Sequence, residues 1–141
     1  VTGGSLGALT LNKAVEANID ALPDWGFQVL HITGKGKAIL DEQGNPRTAK
    51  NYHQMEFCTS MQDVYAAADL LVVRSGAATV SEVAAVGVPA VFVPLPHGNG
   101  EQSLNIRPLL EEGAARLVED QEATAEWFAR EIPALWQIRR Y

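Results

Sequence analysis

Two glycine-rich segments carry the residues best suited to chemistry. Gly3-Gly4-Ser5-Leu6-Gly7 stands at the start of the chain, and Arg74-Ser75-Gly76-Ala77-Ala78-Thr79-Val80-Ser81-Glu82 follows an apolar run. Glycine between a strand and a helix lets the backbone approach a phosphate, and the unpaired N–H groups of the first helical turn then face the anion. In the second segment the turn at Gly76, the N–H groups of Ala77 and Ala78, the Thr79 hydroxyl and the helix dipole suit a pyrophosphate. Glu82, further along the same helix, is placed to take ribose hydroxyls. A second reading uses the same residues: Thr79-Val80-Ser81-Glu82 has the form of a capping box, which would satisfy the helix's own N–H groups and bind nothing. Spacing alone does not separate the two.

These segments need a frame. Leu11, Ala14, Val15, Ile19 and Leu22 recur at helical spacing, and Pro23-Asp24-Trp25-Gly26 predicts the end of that helix. Strands are predicted over 27–33, 52–57, 70–73, 90–93 and 115–118. Helices are predicted over 60–68, 78–86 and 102–112 and through Trp127 and Phe128, with a short one over 37–43. The runs 70–73 and 90–93 are wholly apolar, as in strands buried on both faces. Alternating strands and helices call for an α/β fold with a parallel sheet covered on both sides. With a strand feeding Gly3 there are six, and the second glycine turn follows the fourth. In the doubly wound, Rossmann-like order 3-2-1-4-5-6 the first and fourth strands are neighbours, and ligands bind beyond their ends. Both glycine turns then converge on one crevice.

Composition narrows the partners. A chain of 141 residues, 47% hydrophobic and 20% charged, is one globular domain, and no apolar run is long enough to cross a bilayer. The net charge of -6 argues against a nucleic-acid or anionic-membrane face. The single Cys58 excludes an internal disulfide, fits a reducing compartment and reads as a small hydrophobe. His31, His53 and His97 lack ligand spacing, so no metal site is expected. Arg74 lies within reach of either a phosphate or a helix carboxylate. Lys35, Lys37 and His97 read as solvated loop residues, Trp127 and Trp136 as packing. Both ends are expected to be cuts in a longer chain, since a glycine turn needs a feeding strand and Trp136 to Tyr141 stops within an aromatic stretch.

NAD, the usual ligand of such a crevice, is disfavoured: Gly3 to Gly7 is not G-x-G-x-x-G, and His31-Ile32-Thr33-Gly34 lacks the acidic ribose ligand. The blocks Gly3 to Ala8, Glu56-Phe57, Ala67-Ala68-Asp69, Arg74 to Ala77 with Thr79 to Glu82, Pro89 to Pro94 and Glu101-Gln102 with Asn105 resemble the C-terminal half of the MurG family. That resemblance spans the chain to about Glu119. It implies one half of a GT-B glycosyltransferase, the domain that binds UDP-N-acetylglucosamine. By the same resemblance Ser5 meets the donor phosphates, the Cys58 backbone pairs with uracil beside Phe57 and Met61, and the segment from Ala77 to Thr79 holds the pyrophosphate. Glu82 grips the ribose and Gln102 the sugar; Glu101 stands where the family usually has glutamine.

The resemblance further implies an inverting N-acetylglucosaminyltransferase, needing neither metal nor cofactor, that converts undecaprenyl-linked lipid I to lipid II at the cytoplasmic face of the membrane. The acceptor-binding N-terminal domain and the general base fall outside this chain, so it names no catalytic residue and is expected to bind donor without completing transfer. Two alternatives remain: another GT-B UDP-sugar enzyme, and a non-catalytic nucleotide-sugar-binding module.

Overall fold

The computed structural model describes residues 1–3, 9–74, 76–94, 106–111, 113 and 115–140. They divide into two compact units, Val1–Cys58 with Ala123–Tyr141, and Thr59–Glu122.

In the first unit the predicted apolar stripe is the buried face of the opening helix. Leu11, Ala14, Val15, Ile19 and Leu22 are each at most 1% exposed. Helix α1, Leu9–Asn18, continues through a 3-10 turn, Ile19–Ala21, into a short helix α2, Leu22–Trp25. Pro23 therefore does not stop the helix as expected. It sits in the first turn of α2, where an absent N–H costs nothing. Gly26 ends α2 at φ 80, a left-handed position that a side chain would strain.

Strands β1, Val29–Ile32, and β2, Tyr52–Met55, pair in parallel. Thr2 bridges Ile32 in parallel on the other side of β1, and the Ile32 N–H donates to the Val1 carbonyl at 2.9 Å. The order of the first three strands is thus 3-2-1. The closing helix α6, Ala125–Arg140, packs against α1, with the Asn18 amide donating to the Ala125 carbonyl at 3.0 Å. Trp25, Phe27, Phe128 and Trp136 form an aromatic cluster with ring centroids 5.4–6.3 Å apart.

Residues 37–43 are not a helix. Asp41 accepts the N–H groups of Gln43 and Asn45 at 2.9 and 3.0 Å, and Gly44 takes φ 82. A carboxylate that bonds its own downstream backbone competes with helix formation. Leu40 and Pro46 form an antiparallel bridge, and the Gln54 side chain on β2 binds Ile39 on both its N–H and carbonyl.

The second unit holds α3, Met61–Ala67, β3, Leu71–Val73, α4, Ala77–Val86, β4, Ala90–Phe92, α5, Arg107–Glu111, and β5, Ala115–Leu117. β3, β4 and β5 form a parallel sheet in that order, the expected 4-5-6. β3 and β4 are buried at every position, and Val73, Phe92 and Ile106 are wholly inaccessible. The adjacency of first and fourth strands, which would link the two units, stands as an expectation.

One polar group lies at the centre of the first unit. His31 on β1 is 0% exposed and bonded on both nitrogens, to Tyr52 Oη and Asn12 Oδ1, each at 2.8 Å. Because the Asn12 amide nitrogen donates to the Thr33 carbonyl, its oxygen must accept from His31 Nε2–H. Nδ1 then accepts from the Tyr52 hydroxyl, and the ring is neutral and fully satisfied. Burial, with the nearby N-terminal charge second, lowers its pKa from 6.5 to about 3. The unfolded chain takes up a proton near pH 6.5 that the folded chain refuses. The stability due to neutral His31 is therefore complete above pH 6.5 and lost as the pH falls below it, by about 2 kcal/mol between pH 7 and pH 5. Urea midpoints across that range should show a slope that His31→Gln abolishes; parallel slopes in the two proteins would refute a buried neutral histidine.

Candidate functional site

The second glycine segment begins where β3 runs out of apolar residues. Arg74, the first residue beyond the strand, donates from Nη1 to the carbonyls of Val93 and Pro94 at 3.2 Å each and to Asp120 Oδ1 at 2.6 Å. It pins together the carboxyl ends of β3 and β4 and the turn after β5. The side chains are 12% and 16% exposed, so the pair is largely shielded from water. Of the two partners expected for Arg74, the carboxylate is the one it has.

Gly76 follows as the N-cap of α4, with φ -63 and ψ 152, a conformation open to any residue. A Cβ added there would meet nothing within 4 Å. Glycine is thus required neither by the backbone nor by the packing; it leaves the approach to the helix start open and supplies no capping side chain. The first intrahelical bond runs from Val80 N–H to the Gly76 carbonyl at 3.0 Å, so the N–H groups of Ala77, Ala78 and Thr79 precede the ladder.

This geometry overturns the capping box. With Gly76 at the N-cap, Thr79 is the third helical residue and Glu82 lies in the helix interior. A capping box needs Thr79 outside the helix and Glu82 at its third position. The two side chains meet a different partner, the Tyr65 hydroxyl on α3, which hydrogen-bonds to both. Tyr65 is 3% exposed and packs with Val80 and Val83 of α4. Burial and then the negative charge of Glu82 push its phenol above the ordinary tyrosine range. Met61, one turn before Tyr65 on α3, is half-buried against the same cluster. Ala78 and Glu82 are exposed.

Phe57 and Cys58 belong to the first unit, beyond the end of β2. Phe57 is 50% exposed, and the Lys35 ammonium lies 4.8 Å from its ring centroid, so Lys35 is not the purely solvated residue expected. Glu56 accepts the Gly36 N–H at 2.7 Å, which holds this loop against residues 56–57. Cys58 is half-buried and free. Ser5, Glu101 and Gln102, the remaining predicted contacts, lie outside the described residues, as does His97. Tyr65 was not predicted: nothing in its spacing separates it from a packing aromatic of α3. Among the described residues no three His, Cys, Asp or Glu side chains are grouped to hold a metal, and no helix is long and apolar enough to cross a membrane.

A family model, that of the glycosyltransferase family 28 C-terminal domain, matches residues 1–139. The chain belongs to this family. The likeness therefore continues past Glu119, where sequence blocks alone had placed its end. The family 28 chain is 57% identical over 132 residues, 94% of its length, to a protein of Paenarthrobacter aurescens (strain TC1) named UDP-N-acetylglucosamine--N-acetylmuramyl-(pentapeptide) pyrophosphoryl-undecaprenol N-acetylglucosamine transferase. A protein of the same name from Corynebacterium glutamicum (strain R) is 51% identical over 126 residues, 89% of the chain. These matches cover 36% and 34% of the relatives, so the chain spans about a third of their length. The crystal structure of Acinetobacter baumannii MurG superposes with a TM-score of 0.72 at 32% identity, covering 99% of this chain and 40% of that one. The glycosyltransferase of kitacinnamycin, at 21% identity and a TM-score of 0.64 over 99% of this chain and 37% of its own, shares the fold.

The Arg74–Asp120 pair gives this family 28 domain a measurable property. Removing one partner leaves the other charge largely buried, which costs about 3 kcal/mol. Asp120→Ala should lower the denaturant midpoint by that amount, and Arg74→Met in the same background should recover part of it. Additive losses in the double variant would show that the two charges do not depend on each other.

Proposed function

We propose that this chain is the donor-nucleotide domain of an N-acetylglucosaminyltransferase that moves the sugar from UDP-N-acetylglucosamine to undecaprenyl-pyrophosphoryl-muramyl-pentapeptide, the lipid I to lipid II step of peptidoglycan synthesis. The start of α4 carries the reading: an open glycine N-cap, free N–H groups at Ala77, Ala78 and Thr79, and a carboxylate at Glu82 on the same helix. The printed names of relatives at 57% and 51% identity supply the substrates.

In the proposed reaction the acceptor hydroxyl oxygen bonds to the anomeric carbon of the sugar, and the bond from that carbon to the UDP oxygen breaks. The bonding electrons leave on the β-phosphate, and the acceptor proton passes to a base on the N-terminal domain. This chain contributes binding and charge stabilisation. The N–H groups and dipole at the start of α4 hold the pyrophosphate as negative charge grows on it, the work that a divalent cation does in other transferases. Glu82 takes the ribose hydroxyls. Phe57, the Cys58 backbone and Met61 form the uracil side, Ser5 adds a phosphate contact, and Glu101 and Gln102 read the sugar. Lipid I reaches the reaction through the acceptor domain, so the protein works as a peripheral enzyme at the cytoplasmic membrane face. This chain needs no membrane span for that and has no part in nucleic-acid binding.

Calorimetry tests the reading directly. UDP and UDP-N-acetylglucosamine should bind with undiminished heat in EDTA, while NADH should give none; silence at millimolar UDP would sink the proposal. Gly76→Ala should keep the wild-type denaturant midpoint, since a Cβ fits there, and weaken UDP by obstructing the phosphate approach. An unchanged UDP affinity would place the phosphates elsewhere. Glu82→Ala should cost roughly 1.5–3 kcal/mol of UDP affinity, the range for hydrogen bonds to a charged group, and less than about 1 kcal/mol of stability from this exposed helical position. The reverse pattern, stability lost and affinity kept, would assign Glu82 to the fold alone.

A further inference from the structure

We propose that Tyr65 is a positioning residue for nucleoside recognition: its buried hydroxyl, bonded to both Thr79 and Glu82, fixes the Glu82 carboxylate in the orientation that receives a vicinal diol. The inference rests on the reading of Glu82 as the ribose ligand and extends it to a residue on a different helix.

The argument begins with the inventory of donors. A carboxylate only accepts hydrogen bonds, so the phenol proton points at Glu82. The phenol oxygen keeps lone pairs, and the Thr79 hydroxyl donates into one of them. The result is a directional chain, Thr79 to Tyr65 to Glu82, with each proton assigned by chemistry. Its anchor is rigid. Tyr65 is 3% exposed, its ring is packed among Leu71, Val73, Val80 and Val83, and a buried phenol needs a partner for its hydroxyl.

What the chain holds would otherwise be loose. Glu82 is exposed on the helix surface, and a free glutamate side chain samples many rotamers that binding would have to freeze. A bond from the Tyr65 hydroxyl to one carboxylate oxygen removes much of that freedom beforehand. It leaves the other oxygen, and the free lone pairs of the first, for two neighbouring hydroxyls. The raised phenol pKa keeps the proton on Tyr65 at any ordinary pH, so the bond persists wherever Glu82 is ionised. A phenylalanine would fill the same hydrophobic space. The hydroxyl therefore serves something other than packing.

The test compares UDP with 2′,3′-dideoxy-UDP, which keeps uracil and phosphates and lacks the diol. Wild type should bind UDP more tightly than the dideoxy compound. Tyr65→Phe should weaken UDP roughly five- to tenfold, the range for one hydrogen bond, and leave the dideoxy affinity where it was. In a Glu82→Ala background the same substitution should change neither. If wild type discriminates and Tyr65→Phe discriminates equally well, the positioning role is overturned while the site stands. Equal losses for both ligands together with a lower melting temperature would make Tyr65 a packing residue and overturn it too. If wild type does not distinguish the two ligands, the ribose reading of Glu82 fails, and this inference with it. A second readout is independent of any variant: the Tyr65 hydroxyl proton, followed by NMR in wild type, should shift on adding UDP and stay in place with the dideoxy compound, and an unmoved resonance with UDP overturns the proposal.

Discussion

The first turn of α4 leaves backbone N–H groups that no helix can satisfy from within, and here the N-cap is a glycine with no side chain to offer. Around that constraint the second unit is arranged. A buried parallel strand must end before the helix begins, because its carbonyls and N–H groups are committed to β4, in register from Leu71 with Ala90 to Val73 with Phe92. The turn between them has no ladder to join. Its polar groups face outward, and the positive end of the helix dipole lies among them.

A site of that kind is useful only if its surroundings do not move. Arg74 supplies one restraint by spanning the ends of β3 and β4 and the turn after β5, trading solvent for two carbonyls and a carboxylate. Tyr65 supplies another, from the core side, by packing under α4 while its hydroxyl reaches the helix surface. The first unit solves a similar problem with Asn12, His31 and Tyr52, a buried chain in which each donor meets an acceptor. Buried polar groups are costly when half-paired. In both places the pairing extends through several residues from different elements, so loss of one member leaves its neighbours unsatisfied.

Where sequence patterns and the folded chain part company, the cause is competition for the same backbone groups. Thr79-Val80-Ser81-Glu82 matches a capping box, yet α4 starts two residues before Thr79, since Gly76 accepts the bond from Val80 and moves the cap upstream. The run over 37–43 matches a short helix, yet Asp41 claims the N–H groups that helix would need and Gln54 on β2 holds the chain beside the sheet. Pro23 matches a stop, yet the chain restarts a helical turn at Leu22 and uses proline where a helix tolerates it.

By itself the sequence determined the α/β alternation, the parallel pairing within each half, the buried stripe of α1 and the two all-apolar strands, because each rests on periodicity and on runs of residues that water excludes. It also marked Gly76 to Glu82 as the segment with chemical potential, and its resemblance blocks named the family. Tertiary structure decided the rest. That α6 returns to pack on α1, that Arg74 chooses Asp120 across 46 residues, and that Tyr65 reaches Thr79 and Glu82 are long-range matches of shape and hydrogen-bonding capacity. No local pattern encodes them. Whether Thr79 and Glu82 cap their helix or face away from it was open in the sequence, because the spacing is the same in both cases. The register of the helix start settled it, and that register depends on where β3 must stop to stay paired with β4.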